Sequence, residues 1–460
     1  MPATERERPL FELRIGLLVG ALCAAACWAF RDLRHDDAFI TFRYAENLAR
    51  GLGPVFNPGE RVLGTTAPGY MLFGALLYSV IGKEALPSAM DVIGCMAWGA
   101  QALAVFALLR PSFRYGVAAL AALAVAIGAA GSAGFVALET NMVAACVMGS
   151  VVLAQRGRWL GGSFAAALAG LIRPDSYLFA ILLGLFALRH ARGQRLRAAI
   201  VFGVVTLPWQ VFALAYYGSP LPLTITKRAH TPALVYLVHE LRHPMAELLR
   251  MPANVVPVAV GWAVALYGAY RLARLDRVAA IVPAYGAAHL LAYFWLRPYV
   301  QHIWHLYPLV LTVLVLMACG LGALYEQASS AALRVVLLST AGALLVAHGA
   351  ATVDFARHYR QQYWFGARDS AYGQASAFLR EHAKPDDVVA AIEVGTIGYD
   401  TGLRMYDWGG LVTPSPELHP TRPRISFVVL DEQYAWMAEG LIALRDWDVN
   451  GFRISLFTWN

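Results

Sequence analysis

The sequence predicts an all-α polytopic membrane protein with about 11 transmembrane helices, followed by a small C-terminal α/β domain. Of its 460 residues, 58% are hydrophobic and 15% are charged, whereas charged residues make up about 25% of a soluble domain. Apolar runs of roughly membrane length recur up to residue 351, which is the pattern of repeated helical spans. After residue 352 these runs stop and charged residues return. We therefore expect a membrane domain at 1–351 and a second domain at 352–460.

Eleven apolar runs are predicted to span the bilayer. They are residues 14–30, 89–109, 115–132, 140–155, 160–172, 175–189, 198–216, 253–270, 278–296, 305–324 and 333–350. The run 67–82 is interpreted instead as a helix that lies in, or dips into, the outer interface of the membrane. If it were a full span, the turn containing Arg110 and Arg114 would lie outside, against the tendency of basic loops to remain cytoplasmic.

With this assignment the N-terminus is inside, the C-terminus is outside, and the Arg-rich turns face the cytoplasm. These turns contain Arg110, Arg114, Arg156, Arg158, Arg189, Arg192, Arg195, Arg197, Arg271, Arg274 and Arg277. The loops left on the outer side are richer in carboxylate, aromatic and proline residues. We therefore expect the functional site on the outer side.

The C-terminal segment has the pattern of a small α/β domain on the outer side. Residues 369–383 predict an amphipathic helix, and residues 388–392 predict a buried strand. Residues 395–399 contain two glycines and predict a turn that enters another element. Further strands are predicted at 425–430 and 452–457.

The first outer loop, at 31–88, holds the densest group of chemically active residues. Asp36 and Asp37 are adjacent carboxylates beside the membrane, and solvated loop charges are the alternative interpretation of this pair. Partial burial and mutual repulsion are expected to raise the pKa of one carboxylate, which suits it to accept a proton from a hydroxyl group. The other would orient a partner or a metal ion, and the sequence does not decide between them. Arg43 and Tyr44 follow on a predicted interfacial helix, from which the arginine can pair with the carboxylates or bind a phosphate.

The other outer loops supply further candidates for substrate binding. Glu139 precedes a predicted span, and its alternative role is to cap that helix. Arg173 and Asp175 flank a proline between two short apolar runs, and a purely structural ion pair is the alternative there. The two are expected to pair with each other in either case, because a buried charge is costly unless it is paired. Basic and imidazole side chains complete the candidate set, namely Lys227, Arg228, Arg297, His302 and His305.

These last residues also carry alternatives. Lys227 and Arg228 are predicted to bind phosphate, or else to form a basic patch attracted to anionic lipid. His302 and His305 would share one face of a helix, where interfacial side chains are the favoured interpretation. The alternative is a divalent metal ion bound with the aspartate pair. This metal ion is the one cofactor that the sequence suggests, and the basic clusters do not indicate a nucleic-acid partner.

Taken in order along the chain, these motifs resemble those of GT-C-type membrane glycosyltransferases, close to the branch of mycobacterial terminal arabinofuranosyltransferases. The first loop, DDAFITFRYAENLARGLGPVFNPGERVLGTTAP, contains the acidic pair, interfacial helix and Gly-Pro tail of that branch. The other matching segments are ALET at 137–140, LIRPDS at 171–176, YYGSPLPLTITKR at 216–228 and GTIGYDTGLRMYDWGGLVTP at 395–414. The chain departs from the branch at Gly64-Thr65-Thr66 and at Leu223, which affects the expected acceptor contacts most.

The resemblance implies a sugar donor linked to polyprenyl phosphate, used on the outer side of a bacterial cytoplasmic membrane. It implies that arabinofuranose is the sugar, that a glycan or glycoprotein is the acceptor, and that Asp36 or Asp37 acts at the acceptor hydroxyl or the anomeric centre. Sugar transfer from a lipid phosphate requires a carboxylate near the sugar and cations near the phosphate. The outer loops contain both.

Two other functions fit the composition. A lipid-glycan transporter or flippase would show internal repeats and charges near the middle of the membrane, but no repeat is visible here and the charges lie at the ends of the spans. A glycan polymerase or ligase of another fold would use a diphosphate-linked donor. A comparison of monophosphate and diphosphate carriers would distinguish that enzyme from a GT-C transferase.

Overall fold

A computed structural model describes residues 8–31, 34–128, 137–223, 255–296, 303–361, 366–413 and 424–459. The helices of its first part are α1 (Arg8–Phe30), α2 (Asp36–Ala49), α3 (Pro68–Leu109), α4 (Tyr115–Ile127), α5 (Thr140–Gln155), α6 (Trp159–Ile172), α7 (Tyr177–His190), α8 (Arg195–Tyr217), α9 (Val255–Leu275), α10 (Ile281–Leu296), α11 (Ile303–Gln327) and α12 (Ala331–Gln361). Each of the eleven runs predicted to span the membrane coincides with one of these helices. Helix α2 is the additional one, formed by the first outer loop.

The helices of this part have the length and outward surface of membrane spans. Five of those described, α1, α3, α8, α11 and α12, are long and apolar enough to cross a membrane, while α4, α5, α6 and most of α10 are shorter apolar helices. Large apolar side chains on them point outward, as Leu17, Val204, Leu266 and Val346 do. Contact with lipid rather than water accounts for such a surface. The chain is a multi-pass membrane protein.

Helix α3 is interrupted at Gly82, where φ is 77° and ψ is −179°. Only glycine adopts this backbone conformation readily. The helix has 42 residues, so a straight helix would be about 63 Å long, roughly twice the thickness of the hydrocarbon core. The interruption divides α3 into two pieces at the end of the 67–82 run, as expected if that run is not part of the span that follows.

The Arg-rich turns lie together at one end of the helix bundle. Gln155 at the end of α5 donates from Nε2 to the carbonyl of Leu108 near the end of α3, at 2.9 Å. Gln194 before α8 donates to the carbonyl of Gly157 before α6, at 3.1 Å. The predicted grouping of these basic turns on one face is confirmed.

The polar loops meet at the opposite end of the bundle. Tyr70, at the start of α3, donates its hydroxyl to the carbonyl of Ala137 at 2.7 Å. Gly69 packs against the α6 C-terminus so closely that a Cβ atom there would lie 2.9 Å from the Ile172 nitrogen. In the described residues, the first loop, the start of α5 and the α6–α7 turn therefore share one face, as predicted.

The C-terminal part contains a mixed five-stranded sheet. Its strands are β1 (Val388–Ala391), β2 (Arg404–Asp407), β3 (Phe427–Asp431), β4 (Leu441–Val449) and β5 (Phe452–Trp459), in the spatial order β2-β1-β3-β5-β4. Strand β1 pairs in parallel with β2 and β3, whereas β5 pairs antiparallel with β3 and β4. Helix α13 (Gly366–His382) packs against β4 and β5, and α14 (Gly395–Thr401) connects β1 to β2.

The helix and three strands predicted in this part are confirmed as α13, β1, β3 and β5. The predicted glycine turn is the start of helix α14. Strands β2 and β4 were not predicted, because neither shows a regular alternation of apolar and polar residues. Strand β2 has only four residues, two of them charged, and most side chains of β4 are exposed.

The C-terminal part shares a hydrophobic core with the first outer loop. In one cluster, Ile40 and Phe56 of that loop pack with Ala371 of α13 and with Val389 of β1. Helix α12 continues without a break through residue 351. The two predicted domains are therefore joined by common packing at the end of the bundle that carries the polar loops.

Candidate active site

The aspartate pair begins helix α2. His35 caps this helix, since its Nδ1 accepts a hydrogen bond from the Asp37 backbone N–H at 3.2 Å. Asp36 is buried, and its two carboxylate oxygens accept the N–H groups of Gly395 and Thr396 at 2.8 and 2.7 Å. The first outer loop thus binds the N-terminus of α14. Both acceptor oxygens of Asp36 are used in holding the C-terminal part.

Gly395 lies in close contact with Asp36. A Cβ atom at Gly395 would overlap the Asp36 carbonyl oxygen and lie 2.8 Å from Oδ2. We expect Gly395→Ala to weaken the docking of α14 on α2 and to destabilise the folded protein by roughly 1–3 kcal/mol. Thermal unfolding in detergent measures this loss. Gly373→Ala in α13 is the control, because that position has open space around it, and an unchanged melting temperature for Gly395→Ala would contradict the close packing.

Asp37 has a different environment from its neighbour. Its side chain is 39% exposed, and Oδ2 lies 3.7 Å from Nδ1 of His35. Partial burial raises the pKa of Asp37 to about 7, and repulsion by Asp36 adds to this shift. Arg368 acts in the opposite direction, and Glu139 adds a smaller repulsion. Asp37 is therefore able to gain or lose a proton near neutral pH while reaching solvent.

Arg43 and Tyr44, predicted to bind substrate, instead hold the main chain. The Arg43 guanidinium is buried and donates to the carbonyls of Phe56 at 2.7 Å, Leu403 at 2.7 Å and Gly398. Burial of this group lowers the pKa of Arg43 to about 10, so it remains charged at neutral pH.

The hydroxyl of Tyr44 is likewise committed to main-chain partners. It donates to the Val62 carbonyl at 2.6 Å and accepts the Gly64 N–H at 2.9 Å. Neither Arg43 nor Tyr44 presents its polar group to open space, so both act in this structure as clamps on the first loop.

Arg173 forms the centre of a second charged group. Its guanidinium lies 3.1 Å from Asp175 and 3.6 Å from Glu139, and Tyr293 of α10 donates its hydroxyl to Asp175 at 2.9 Å. Burial works against the charge of Asp175, but Arg173 outweighs it, so the pKa of Asp175 lies below its usual value. For Glu139 burial prevails over Arg173, so its pKa is raised. The expected pairing of Arg173 with Asp175 is present, and Glu139 joins it.

A small pocket opens beside Arg173 between α5, α10 and α11. Its polar lining is Thr140, Arg173 and Asp175, and the remaining lining residues are Val143, Ala144, Val147, Met148, Tyr285, Trp304, Tyr307, Pro308 and Leu311. The Thr140 side chain is buried, and its Oγ1 has no hydrogen-bond partner among the residues that the structure describes. One end of the cavity is therefore charged and the rest is apolar, which suits an amphiphilic ligand with a polar head.

The cavity and the aspartate pair are neighbours. The indole of Trp304, which lines the cavity, packs edge-on against His35 with the ring centroids 4.8 Å apart. His35 in turn contacts Asp37. The structure thus brings together Asp37, Glu139, Arg173 and Asp175, which lie far apart in the sequence.

The remaining predicted residues are placed as follows. His305 packs its ring against Trp304 and Tyr293, and its carbonyl bonds Nε2 of His289 at 2.7 Å. Four predicted residues lie outside the described residues, namely Lys227, Arg228, Arg297 and His302. Within the described ranges, no three His, Cys, Asp or Glu side chains are placed to hold a metal ion together, and the metal ion stays a prediction.

Two residues of the C-terminal part were missed by the sequence interpretation. Arg368 of α13 and Glu393, which follows β1, form an ion pair, and their charges act on Asp37 and Asp36. Glu393 did carry a recognisable signal. It follows a buried strand and precedes a glycine turn, and the carboxyl end of a parallel strand is a common place for functional side chains.

Comparisons with known proteins add two kinds of similarity. Residues 351–450 match a family described as a domain of unknown function, DUF8728. The terminal β-(1→2)-arabinofuranosyltransferase of Mycobacterium tuberculosis is 32% identical over 212 residues, which cover 41% of this chain and 34% of that protein.

Two solved structures resemble the whole chain. ArnT from Cupriavidus metallidurans bound to undecaprenyl phosphate superimposes with a TM-score of 0.59 at 14% identity, covering 96% of this chain and 97% of that one. The oligosaccharyltransferase AglB from Archaeoglobus fulgidus, with an inhibitory peptide and a dolichol-phosphate, gives 0.60 at 14% identity, covering 93% and 70%. Both are glycosyltransferases of the GT-C class. This chain has the GT-C fold.

The resemblance to GT-C enzymes and to the mycobacterial arabinofuranosyltransferase, inferred from the loop motifs, is confirmed by these comparisons. At 14% identity the two structures establish the fold alone, so the chemistry has to be argued from the residues of the candidate site described above.

Proposed function

We propose that this protein is a membrane glycosyltransferase that moves a sugar, arabinofuranose, from a polyprenyl-phosphate carrier to a hydroxyl group of a glycan or glycoprotein. The observation that carries the proposal is the cavity beside Arg173, which is charged at one end and apolar along the rest, and which is linked to Asp37 through Trp304 and His35. An isoprenoid chain matches the apolar part, and its phosphate matches the charged end. The lipid phosphates bound in ArnT and AglB and the name of the mycobacterial relative support the donor class and the sugar.

The charged end suits the phosphate for an electrostatic reason. Arg173 offers a guanidinium, which binds phosphate oxygens by charge-assisted hydrogen bonds. Two carboxylates flank it, Asp175 at 3.1 Å and Glu139 at the longer distance of 3.6 Å, and burial raises the pKa of Glu139. The Thr140 hydroxyl, which has no partner in the described part of the chain, supplies another donor. Lys227, Arg228 and Arg297, outside the described residues, remain predicted phosphate ligands.

Asp37 is assigned as the general base. The acceptor oxygen forms a bond to the anomeric carbon, the bond from that carbon to the phosphate oxygen breaks, and the hydroxyl proton moves to Asp37. The leaving polyprenyl phosphate takes the electron pair and gains one negative charge, which Arg173 stabilises. Asp36 is not assigned this step, since each of its oxygens already accepts a backbone N–H group, and such bonds favour the ionised form and make it a weaker base. We place the site on the periplasmic side of the cytoplasmic membrane, because the basic turns lie at the opposite end.

The proposal is tested with the purified protein in proteoliposomes. Synthetic donors carrying arabinofuranose on polyprenyl monophosphate are compared with the diphosphate analogue and with other sugars, and products are identified by mass spectrometry. Transfer from the monophosphate arabinofuranosyl donor is the expected result. Transfer from diphosphate donors alone would favour a polymerase or ligase, and lipid movement across the vesicle without transfer would favour a flippase.

The hydroxyl group of Thr140, which lacks a hydrogen-bond partner among the described residues, allows a more specific test of the donor site. We expect Thr140→Val to raise the KM for the lipid donor roughly tenfold, because one hydrogen bond to a charged phosphate is lost from a site of unchanged shape. The control is Thr206→Val in α8, where the threonine is also buried but its hydroxyl bonds its own helix at Phe202. Equal KM values for the two variants would argue against phosphate binding at Thr140.

A further inference from the structure

Four buried side-chain atoms in and beside the cavity at Arg173 lack a hydrogen-bond partner among the residues that the structure describes. They are Thr140 Oγ1, Ser176 Oγ, Tyr285 OH and His289 Nδ1. Each of these four residues is at most 3% exposed. A buried polar atom without a partner is energetically costly, so a group of them in one place indicates a site that a ligand completes.

Two of these hydroxyl groups come from elements other than α5. Tyr285 of α10 lines the cavity together with Thr140. Ser176 lies in the turn before α7, where its N–H donates to the Arg173 carbonyl at 3.0 Å. The Ser176 and Tyr285 hydroxyls lie close enough to interact, yet neither forms a hydrogen bond of good geometry within the described part of the chain. The cavity therefore has hydrogen-bonding capacity beyond Arg173 and Thr140.

His289 lies one turn after Tyr285 on the same face of α10. Its ring centroid is 5.7 Å from that of Tyr285 and 4.6 Å from that of Tyr293, whose hydroxyl binds Asp175. Nε2 lies 2.7 Å from the carbonyl oxygen of His305. Because a carbonyl oxygen only accepts, Nε2 carries the proton, and Nδ1 of the neutral ring is an acceptor.

The four atoms together require a ligand that both donates and accepts hydrogen bonds. The hydroxyl groups of serine, threonine and tyrosine can do either, but Nδ1 of His289 only accepts. The ionised phosphate of a lipid-linked sugar has no proton to donate, whereas every hydroxyl group of the sugar has one. Phosphate therefore suits Arg173 and Thr140, and a sugar hydroxyl suits His289.

We propose that Tyr285 and His289, with Ser176, bind the sugar of the lipid donor and select for its hydroxyl groups. The inference rests on the proposed function, because it takes the cavity as the donor site. One sugar hydroxyl donates to Nδ1 of His289, and other sugar oxygens accept from the hydroxyls of Tyr285 and Ser176. A sugar without that hydroxyl leaves Nδ1 buried and unpaired, which is how a polar site rejects a deoxy analogue.

The test compares the binding of two lipids to the full-length protein in detergent by titration calorimetry. One lipid is undecaprenyl phosphate, and the other is the same lipid carrying arabinofuranose. We expect Tyr285→Phe to weaken binding of the sugar-bearing lipid roughly fivefold, because one hydrogen bond is lost, and to leave the bare lipid phosphate unaffected. Thr140→Val should weaken both lipids. The control is Tyr267→Phe in α9, whose hydroxyl lies outside the cavity and accepts from Gln327, and neither lipid should be affected there.

A second variant, His289→Gln, separates sugar recognition from folding. Glutamine keeps an N–H group for the His305 carbonyl but removes the imidazole acceptor. Among lipids that carry deoxy forms of arabinofuranose, one should bind the unaltered protein more weakly than the full sugar, and His289→Gln should no longer distinguish the two. If this variant does not fold, Tyr285→Phe still decides the question.

The outcomes separate the inference from the proposed function on which it rests. If Tyr285→Phe weakens both lipids equally, or weakens neither, the inference is overturned, and the unpartnered atoms are assigned to buried water instead. Unaltered protein that binds neither lipid would refute the proposed function itself. Binding requires no turnover, so these results do not depend on knowing the acceptor.

Discussion

Asp37→Asn is expected to lower the rate of sugar transfer by about 10³-fold, because the variant has no group to accept the acceptor proton at that position. The protein should still fold, since the Asp37 side chain is partly exposed and the helix cap uses its backbone N–H rather than its carboxylate. The measurement is initial rate in proteoliposomes with a saturating donor, beside the melting temperature in detergent. Asp386→Asn, at an exposed turn, is the control. A rate within a few fold of the original would remove Asp37 from the reaction.

The assignment of Asp37 as the general base also determines how the rate of sugar transfer depends on pH. The pKa of Asp37 is about 7, so the carboxylate is protonated and inactive as a base below that pH. Transfer should therefore rise as the pH increases through 7, and a rate that is constant from about pH 5 to 9 would contradict the assignment.

Asp36→Asn should behave differently from Asp37→Asn. An amide side chain has one acceptor oxygen, so it can keep only one of the two N–H bonds from α14. We expect a lower melting temperature and a partial loss of rate that follows the loss of folded protein. A normal melting temperature with complete loss of transfer would assign the chemistry to Asp36 instead.

Arg43→Met is expected to destabilise the protein by roughly 3 kcal/mol or more, because it leaves several buried carbonyls of the first loop and of the α14 region without donors. The effect is measured as a lowered melting temperature and as release of the C-terminal part to limited proteolysis. The control is Arg50→Met in the same helix. Arg50 is 56% exposed and pairs with Glu46 one turn away, which predicts a loss below about 1 kcal/mol.

Little change in Arg43→Met would mean that the shared core alone holds the C-terminal part. The expected loss instead depends on the hydrogen bonds that Arg43 makes across 355 residues of sequence to Gly398. It therefore tests whether the first loop and the C-terminal part form one unit around the site.

The spans were predictable because hydrophobicity is a local property. Each run of apolar residues needs a lipid environment whatever its neighbours do, so α8 or α11 can be located without knowing the fold. The short, partly charged strand β2 could not be located in this way, since its place in the sheet depends on pairing with β1.

At the candidate site, too, some features were predictable from the sequence and others depended on tertiary contacts. The sequence placed Asp36 and Asp37 together and identified Arg173 and Asp175 as an ion pair. It could not distinguish the two aspartates, because they differ only in what contacts them. Asp36 is buried against the first N–H groups of α14, while Asp37 reaches open space.

By itself, the sequence determined that this protein is a multi-pass helical membrane protein and that its carboxylates, arginines and prolines gather in the loops of one face. Composition and spacing are sufficient for that, since they act over a few residues at a time. Only the tertiary structure decided that Arg43 and Tyr44 clamp the main chain, that Asp37 is partly exposed while Asp36 is buried, and that Arg368 pairs with Glu393. The partners of Tyr44 are close in sequence, but Arg43 and Asp36 depend on contacts with segments more than 300 residues away, where burial and charge depend on how the whole chain packs.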